Sequence, residues 1–300
     1  MISEQVILIT GASSGIGAAL AELLAAQYMS IRLVIAARSS DKLEQVATQC
    51  RKAGAEVLVV PMDMADTEEV KALAQQALDT FGRVDVLVNN AGYGQMGPIE
   101  LVTPEEAKRQ FAVNYHGALT LIQSLIPGMR EQGGGRIVNV SSLGGRMAFP
   151  VGGLYSSSKF ALEALSDVLR MELGAFNIKV IVIEPGPVKT GFFEAANEKV
   201  NQSMAGAEES VYGPAIEKVK GMKQQTERLG WSSEAVAKVI VRSLTARNPR
   251  PRYVAATGGR ILIFLLTKLF PTWVSDTFWK RFYGVNEVEN RWKSRQKGKV

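Results

Sequence analysis

The sequence predicts an α/β fold in which one parallel sheet is covered by helices on both faces. Short apolar runs alternate with helical patterns from residue 6 to residue 256, an order of elements typical of parallel sheets. The first two runs, VILIT and IRLVIAA, are apolar without polar alternation, as in strands buried on both faces. A chain of 300 residues is long enough to form such a sheet as one large domain.

Seven strands are predicted for this sheet. They are expected at residues 6–10, 31–37, 56–63, 84–92 (with the exit loop), 135–142, 178–186 and 252–256. The domain is expected to cover residues 1–257, followed by an amphipathic helical extension with a basic tail over 258–300. Between residues 188 and 231 the pattern weakens, which predicts a substrate lid of one or two loose helices.

The predicted helices have recognisable ends. The second helix is expected to use Ser40 or Asp41 as its N-cap and to stop at Gly54, and the third to end at Gly82. A long apolar helix over 103–132 opens with a threonine cap followed by proline. Further helices are expected over residues 155–173 and 232–247.

Composition and charge argue against several functional classes. Residues 280–300 contain seven Lys/Arg and two Glu, and so carry +5 of the net charge of +6. The rest of the chain is nearly neutral, and no nucleic-acid partner is expected. His116 is the one histidine, which argues against a histidine metal site or a Ser-His-Asp triad, and no metal is expected. A single cysteine, Cys50, and no signal-peptide pattern lead us to expect a cytoplasmic protein.

The segment from Ser142 to Lys159 contains a candidate proton-transfer site. Tyr155 and Lys159 are four residues apart in a predicted helix, so their side chains lie one turn apart on one face. A neighbouring ammonium favours a phenolate, so we expect a lowered pKa for Tyr155. Ser142 ends the predicted strand RIVNVSS. A hydroxyl, a phenol and an ammonium together suit proton transfer with a carbonyl or an alcohol, although the Tyr-x-x-x-Lys spacing alone could arise by chance.

A glycine-rich turn between the first strand and the first helix predicts a nucleotide site. Glycines let the backbone approach a ligand, and the free N–H groups at the start of a helix attract a pyrophosphate. The spacing is Gly-x-x-x-Gly-x-Gly rather than the commoner Gly-x-Gly-x-x-Gly. The residues expected to contact the nucleotide here are Gly11, Ser13, Ser14, Gly15, Ile16 and Gly17.

The end of the second strand favours NADP(H) over NAD(H). An NAD site usually offers a carboxylate there to the ribose hydroxyls. In this chain that position is Ala37, and Arg38 follows. A guanidinium suits a phosphate, and the absent carboxylate removes a repulsion. The alternative is that Arg38 is a solvated surface charge.

Together these motifs resemble those of the short-chain dehydrogenase/reductase family, in its single-domain branch. The matching segments, in the expected order, are TGASSGIG (10–17), Asp63, NNAG (89–92), Asn114, Ser142, Tyr155-x-x-x-Lys159 and PGPVKT (185–190). The resemblance implies a Rossmann-type doubly wound parallel sheet and a nicotinamide cofactor. It also implies a homodimer or homotetramer assembled through the helices at 103–132 and 154–177.

The resemblance also implies a role for each matched residue. Tyr155 is the general acid of carbonyl reduction and the base of the reverse reaction, while Lys159 lowers its pKa and holds the nicotinamide ribose. Ser142 hydrogen-bonds the substrate oxygen, and Asn114 completes a water-linked proton relay. Asp63 contacts the adenine. The remaining cofactor contacts are expected from Met64, Asn90, Ala91, Gly92, Pro185, Gly186, Val188 and Thr190.

Neighbouring residues are interpreted more conservatively. His116 should face away from Asn114 on the helix, and Ser141 should point to the opposite face of the strand from Ser142. Asp85 and Glu184 are expected to be structural. The substrate pocket is expected to use Phe149 and Phe193, and Tyr93 and Met147 as well, with plain packing as the alternative.

The C-terminal extension permits two interpretations. GRILIFLLTKLF (259–270) has twelve residues before Pro271, too few to span a bilayer, which takes about 20. TWVSDTFWKRFYG follows as a second helix rich in aromatic residues, and the basic tail comes next. This combination is typical of an interfacial membrane anchor, with peripheral contact through 259–283 and the tail. Alternatively, the helices cover the substrate pocket or pack on a partner subunit.

The functional hypothesis is an NADP(H)-dependent oxidoreductase that interconverts a ketone or aldehyde and an alcohol. The extension resembles that of relatives acting on retinoids and steroids, which favours a bulky, lipid-like substrate. A 3-oxoacyl thioester reductase is the alternative within the enzymes. A non-catalytic NADP-binding scaffold or sensor is the alternative from another class, and the full set of Asn114, Ser142, Tyr155 and Lys159 argues against it.

Overall fold

A computed structural model describes residues 2–191 and 209–297 of the chain. The strands are β1 (Val6–Thr10), β2 (Arg32–Ala37), β3 (Glu56–Pro61), β4 (Val86–Asn89), β5 (Gly135–Val140), β6 (Ile178–Pro185), β7 (Val188–Lys189), β8 (Trp231–Ser232) and β9 (Arg252–Ala255). Seven of them form one parallel sheet in the order β3-β2-β1-β4-β5-β6-β9. The expected α/β fold with seven parallel strands is therefore confirmed.

The strand order reverses between β1 and β4. β1 pairs with β2 on one side and with β4 on the other, and Ile7 is the register partner of both Leu33 and Val86. The chain therefore leaves the carboxyl ends of β1 and β4 in opposite directions, which opens a crevice between their loops. In open α/β sheets, ligands bind in this crevice.

Helices cover both faces of the sheet. They are α1 (Gly15–Gln27), α2 (Ser40–Lys52), α3 (Thr67–Phe81), α4 (Pro104–Phe111), α5 (Gly117–Glu131), α6 (Gly153–Glu172), α7 (Gly213–Leu229), α8 (Ser233–Thr245), α9 (Gly259–Phe264), α10 (Thr272–Phe282) and α11 (Val285–Lys297). α1, α2 and α8 pack on one face, against side chains such as Ile7 and Ile9. α3, α5 and α6 pack on the other, against side chains such as Leu8 and Leu87. Successive residues of a strand thus pack alternately in one of two hydrophobic cores, which explains why the strands are apolar throughout.

Most helix ends lie where the sequence predicted them. Gly82 ends α3 in the left-handed conformation, with φ of 71°. Thr103 and Glu106 form a reciprocal capping box at the start of α4, with Pro104 at its first position. The expected cap of α2 was wrong, because the helix begins at Ser40 and Ser39 occupies the N-cap position without a side-chain cap bond.

The long helix expected over 103–132 is interrupted. Residues Ala112–His116 form a π-helical turn between α4 and α5, and the Gly117 N–H donates to the Ala112 carbonyl. Such a turn adds one residue to the helical repeat and is frequent at functional sites. Here it buries Asn114 and leaves His116 exposed, so the two face apart as expected.

The described part of the segment predicted as a lid packs on the C-terminal extension. β7 and β8, at the two ends of that segment, form a small parallel pair, and α7 supplies Ala215 and Val219 to an apolar cluster that also contains Tyr283 and Val288. The basic residues within 291–297 belong to the helix α11, which lies against α7. Within 2–191 and 209–297, every helix is too short or too polar to cross a membrane.

Gly117 tests how tightly the π turn is packed. A Cβ at this position would lie 2.3 Å from the Met64 carbonyl oxygen, so Gly117→Ala is expected to lower the free energy of unfolding by about 1–3 kcal/mol. Gly128→Ala in the same helix is the matched control. Its Cβ would lie 4.0 Å from Leu78 Cδ2, which is ordinary contact, so we expect the free energy of unfolding to rise by about 0.5–1 kcal/mol. Urea unfolding measures both, and equal effects would contradict this packing.

Candidate active site

The glycine-rich turn forms a close-fitting cradle at the crevice. Gly11 and Gly15 have φ of 67° and 58°, a region that side chains with a Cβ rarely adopt. A Cβ on Gly17 would lie 2.4 Å from the Gly11 carbonyl oxygen, so only glycine allows α1 to start this close to β1. The first turn of α1 contains no acidic residue. The N-terminus of α1 therefore offers an anion its free N–H groups without a competing carboxylate.

Asn90 and Thr10 hold this turn to the loop after β4. Asn90 Nδ2 donates to the carbonyl oxygens of Thr10 at 2.9 Å and Gly11 at 3.2 Å. In return, Thr10 Oγ1 accepts from the N–H groups of Asn90 at 3.1 Å and Ala91 at 3.0 Å. The two sides of the crevice are thus fixed relative to each other by side chain–backbone hydrogen bonds.

Ser142, Tyr155 and Lys159 meet at the carboxyl end of β5. A hydrogen bond joins the side chains of Ser142 and Tyr155, and Ser142 Oγ also accepts from Gly144 N–H at 3.0 Å. Lys159 Nζ donates to the Val140 carbonyl oxygen at 2.8 Å. Tyr155 and Lys159 are 8% and 4% exposed, so both are largely removed from bulk water.

Asn114 ties this cluster to the loop after β4. Its Nδ2 donates to Ser158 Oγ at 3.1 Å and to the Tyr93 carbonyl oxygen at 3.0 Å, and its Oδ1 accepts from Tyr93 N–H at 3.1 Å. A Cβ on Gly92 would lie 3.3 Å from both Asn114 Oδ1 and Lys159 Nζ. Glycine at position 92 therefore keeps the space in front of Asn114 and Lys159 free for a ligand.

Burial controls the acid–base properties of the cluster. It raises the pKa of Tyr155 to about 12, against the Ser142 hydrogen bond that lowers it. Burial also lowers the pKa of Lys159 to about 8, against the carboxylate of Glu163 that raises it. The expected lowering of the Tyr155 pKa was therefore wrong for this structure, because loss of hydration outweighs the other contributions.

The outer end of the crevice carries exposed charges. Arg38 is exposed at the end of β2. The residue before it, at the position where an NAD site usually has a carboxylate, is Ala37. Asp63 follows β3, and its Oδ2 accepts from Arg109 Nη2 at 2.7 Å. Although partial burial raises the pKa of Asp63, the Ala65 N–H together with Arg109 and Arg38 gives it a net lowering. Met64 is buried against Gly117.

One largely apolar cavity connects the glycine-rich turn, the loop after β4 and the cluster of Ser142, Tyr155 and Lys159. It has a volume of about 340 Å³. Its polar floor contains Asn90, Ser142, Tyr155 and Lys159, and its walls are apolar. The remaining lining residues are Ile16, Gly92, Met96, Val140, Ser141, Leu143, Gly144, Met147, Phe149, Pro185, Gly186, Pro187, Val188, Thr190, Leu262, Phe278, Trp279, Phe282 and Tyr283.

The extension forms one wall of the cavity. The Phe149 ring stacks on Tyr283 at a centroid distance of 5.3 Å and lies 6.1 Å from Trp279. Phe278 and Phe282 line the cavity and are also 40% and 37% exposed. They therefore stand at its mouth, between the interior and the surface.

The sequence-predicted residues largely converge on this site. Phe149 and Met147 lie in the cavity wall. The backbone N–H and carbonyl of Tyr93, by contrast, form hydrogen bonds with the side chains of Asn114 and Gln110. Phe193 lies outside the described residues. Asp85 is structural as expected, since its Oδ2 accepts from Val6 N–H at 2.8 Å.

Sequence reasoning missed several residues of the site. Ser158 was not singled out, although it follows Tyr155 by three residues and so lies near the same face. Glu163 was missed as well, although it follows Lys159 by one helical turn. Trp279 and Tyr283 were noted only as aromatic residues of the extension, and their spacing of four indicates the face that they share.

Comparison with known proteins agrees with this geometry. The family model described as short chain dehydrogenase matches residues 5–201. A 3-ketodihydrosphingosine reductase of Bacteroides thetaiotaomicron is 33% identical over 248 residues, covering 83% of this chain and 86% of the relative. The chain therefore belongs to the short-chain dehydrogenase/reductase family, whose members are oxidoreductases.

Two solved structures show the same fold with different cofactors. A Burkholderia phymatum short-chain dehydrogenase/reductase in complex with NAD is 28% identical, with a TM-score of 0.76 and coverage of 87% of this chain and 92% of that one. A metagenomic short-chain oxidoreductase in complex with NADP is 28% identical, with a TM-score of 0.66 and coverage of 84% and 97%. The fold is thus common to proteins that bind either nicotinamide cofactor.

Proposed function

We propose that this protein transfers hydride between NADP(H) and the carbonyl or alcohol carbon of a bulky, apolar substrate. The observation that carries the proposal is the cavity, which joins Ile16 of the glycine-rich turn and Thr190 to Ser142 and Tyr155. A nucleotide-binding turn and a proton donor line the same space. This suits a reaction in which a cofactor transfers hydride to a carbonyl carbon and a side chain protonates its oxygen.

The chain's own residues account for the proton chemistry. When bound, the nicotinamide supplies or accepts the hydride. Tyr155, with a pKa of about 12, is protonated at neutral pH and donates to the carbonyl oxygen as negative charge develops there. Ser142 hydrogen-bonds the same oxygen. Lys159 holds the ribose hydroxyls, and Asn114 keeps α6 in place against the Tyr93 segment and completes a relay through water.

Arg38 carries the preference for NADP(H) in this proposal. It is exposed at the end of β2 and close enough to Asp63 to lower the pKa of that carboxyl, so its guanidinium borders the adenosine end of the crevice. Ser13 and Ser14 in the glycine-rich turn offer further donors to a phosphate. Relatives bind either cofactor, so the preference rests on these residues alone.

The apolar walls support a lipid-like substrate. Met96, Met147 and Phe149 line the cavity together with aromatic side chains of α10, and such walls favour apolar ligands. One relative is a 3-ketodihydrosphingosine reductase, which is a reductase of a lipid ketone. Both observations favour a bulky ketone or aldehyde over a small polar one.

The extension adds a proposed membrane contact. Its outer surface exposes Ile261 by 66%, Phe264 by 56% and Trp273 by 70%, and the basic residues Arg260 and Lys268 lie among them. Exposed apolar and aromatic side chains with a basic flank suit an anionic bilayer surface. We therefore propose that the protein binds membranes peripherally through this surface.

Tyr155→Phe tests the proposed chemistry. The variant should bind NADPH with the affinity of the wild type and lose about 10²–10⁴-fold in turnover, since it lacks the proton donor. NADPH oxidation is followed with a long-chain ketone, a keto-steroid, a retinal and a 3-oxoacyl thioester. Tyr28→Phe, at the end of α1 and outside the cavity, should behave like the wild type. Unchanged turnover by Tyr155→Phe would refute the assignment.

Arg38→Ser tests the cofactor preference. Loss of a charge-assisted hydrogen bond costs about 1.5–3 kcal/mol, so the Kd for NADPH should rise at least about tenfold while that for NADH changes little. Arg51→Ser, at the other end of α2, should alter neither value. Titration by protein fluorescence measures both Kd values, and an unchanged ratio of the two in Arg38→Ser would count against NADP(H) selection by Arg38.

A pair of double variants tests the membrane surface. The first double variant, Ile261→Ser with Trp273→Ser, removes exposed apolar area from the extension. The control, Met29→Ser with Met171→Ser, removes apolar area outside the extension, where these two side chains are 80% and 66% exposed. Flotation with vesicles that contain anionic lipid should fall several-fold for the first pair alone. Equal flotation of both double variants would refute the proposed membrane contact.

A further inference from the structure

A group of paired charges, in which Glu163 and Glu184 are deeply buried, lies directly behind the candidate active site. Glu163, on α6 and only 5% exposed, accepts from Arg252 Nε at 3.0 Å through its Oε2. Arg252 Nη2 also donates to Asp167 Oδ2 at 2.7 Å. Burying a carboxylate this deeply is costly unless it is paired, and this group has no role in the chemistry described so far.

The neighbouring elements complete the group. Glu184 on β6 is 1% exposed and pairs with Arg146 Nη1 at 2.8 Å and with Arg252 Nε at 3.3 Å. Arg170 pairs with Asp167 at 3.2 Å. Three carboxylates therefore face three guanidinium groups, and the group is neutral as a whole. Removing the charge of Glu163 would leave it with an excess positive charge.

Glu163 also borders the catalytic segment. It follows Lys159 by four residues, so the two side chains are neighbours on one face of α6. Directly after β5, Ser141 lies against the Glu163 carboxyl. A Cβ on Gly145 would lie 2.5 Å from Ser141 Oγ and 3.1 Å from Glu163 Cγ, so the turn after Ser142 packs tightly on both. Glu163 thus stands between Lys159 on one side and Arg252 on the other.

We propose that Glu163 is a positioning residue that keeps the buried Lys159 in its charged, ligand-holding form. The contacts that support this are the helical neighbourhood of the two side chains and the neutral ion group that fixes the carboxylate. This proposal rests on the proposed function in one respect, namely that the Lys159 ammonium holds the ribose hydroxyls of the cofactor.

The charge states are consistent with this role. Burial and the nearby Glu184 carboxylate leave the pKa of Glu163 raised, while the Ser141 hydrogen bond and the Arg252 guanidinium limit that rise and favour the carboxylate. Burial lowers the pKa of Lys159 to about 8, and the Glu163 carboxylate is the opposing influence. Close to that pH, loss of a neighbouring negative charge disfavours the ammonium, so the pKa of Lys159 falls further. An opposite charge within about 4–6 Å shifts a pKa by about one unit or more.

The test is a set of three full-length variants examined without cofactor. The pH dependence of Lys159 acetylation by acetic anhydride, measured by mass spectrometry, reports the pKa of this amine, which lines the cavity. Glu163→Gln should lower that pKa by about one unit. Asp167→Asn also removes a partner of Arg252 but lies two turns from Lys159, and it should leave the pKa within a few tenths. Glu163→Asp keeps the charge at a greater distance and should give a smaller decrease.

The outcomes separate this proposal from the proposed function. An unchanged Lys159 pKa in Glu163→Gln, or equal decreases in Glu163→Gln and Asp167→Asn, would overturn the positioning role. If Glu163→Gln does not fold, an unchanged pKa in Glu163→Asp overturns it equally. Turnover in the pH range 6–10 provides the second measurement, in which the alkaline limb should move with the Lys159 pKa. A shifted pKa without turnover on any carbonyl would leave the positioning role standing and refute the proposed function.

Discussion

The junction between β1 and β4 is the constraint on which the site depends. The strand order reverses there, so the chain leaves the two strands in opposite directions and the crevice between their loops must be held by side chains. Thr10 and Asn90 provide four hydrogen bonds across it. The glycine-rich turn, the Gly92 segment and, through Asn114, the start of α6 are all positioned relative to this junction.

The site combines this rigid crevice with an unusual amount of buried polarity. Tyr155, Lys159 and Glu163 are each less than 10% exposed, and polar or ionised groups at such depth are costly unless each has a partner. The partners come from separate elements: Ser142 after β5, the Val140 carbonyl, and Arg252 on β9. The acid–base behaviour of α6 therefore depends on strands at the far end of the sheet, and not only on the spacing of residues along the helix.

The sequence was informative wherever a local rule determines the structure. Apolar runs located the strands, Gly82 and Thr103 located helix ends, and the glycine spacing with Tyr155 and Lys159 located the site. Interactions between distant residues were beyond such rules. The π turn around Asn114 is followed by Gly117, which packs closely on Met64, and the raised pKa of Tyr155 arises from burial that a helical spacing cannot reveal. The same holds for Glu163, whose partner Arg252 is 89 residues away in the chain.

The stacked pair of Phe149 and Tyr283 gives the extension a thermodynamic connection to the cavity. Phe149 belongs to the segment between β5 and α6, whereas Tyr283 lies at the end of α10. A ligand that fills the space against these rings adds contacts to both segments only when they are docked together. By linkage, binding energy is then shared between holding the ligand and holding the helices α9, α10 and α11 against the body. Occupancy of the cavity and order of the C-terminal helices are in this way two expressions of one equilibrium.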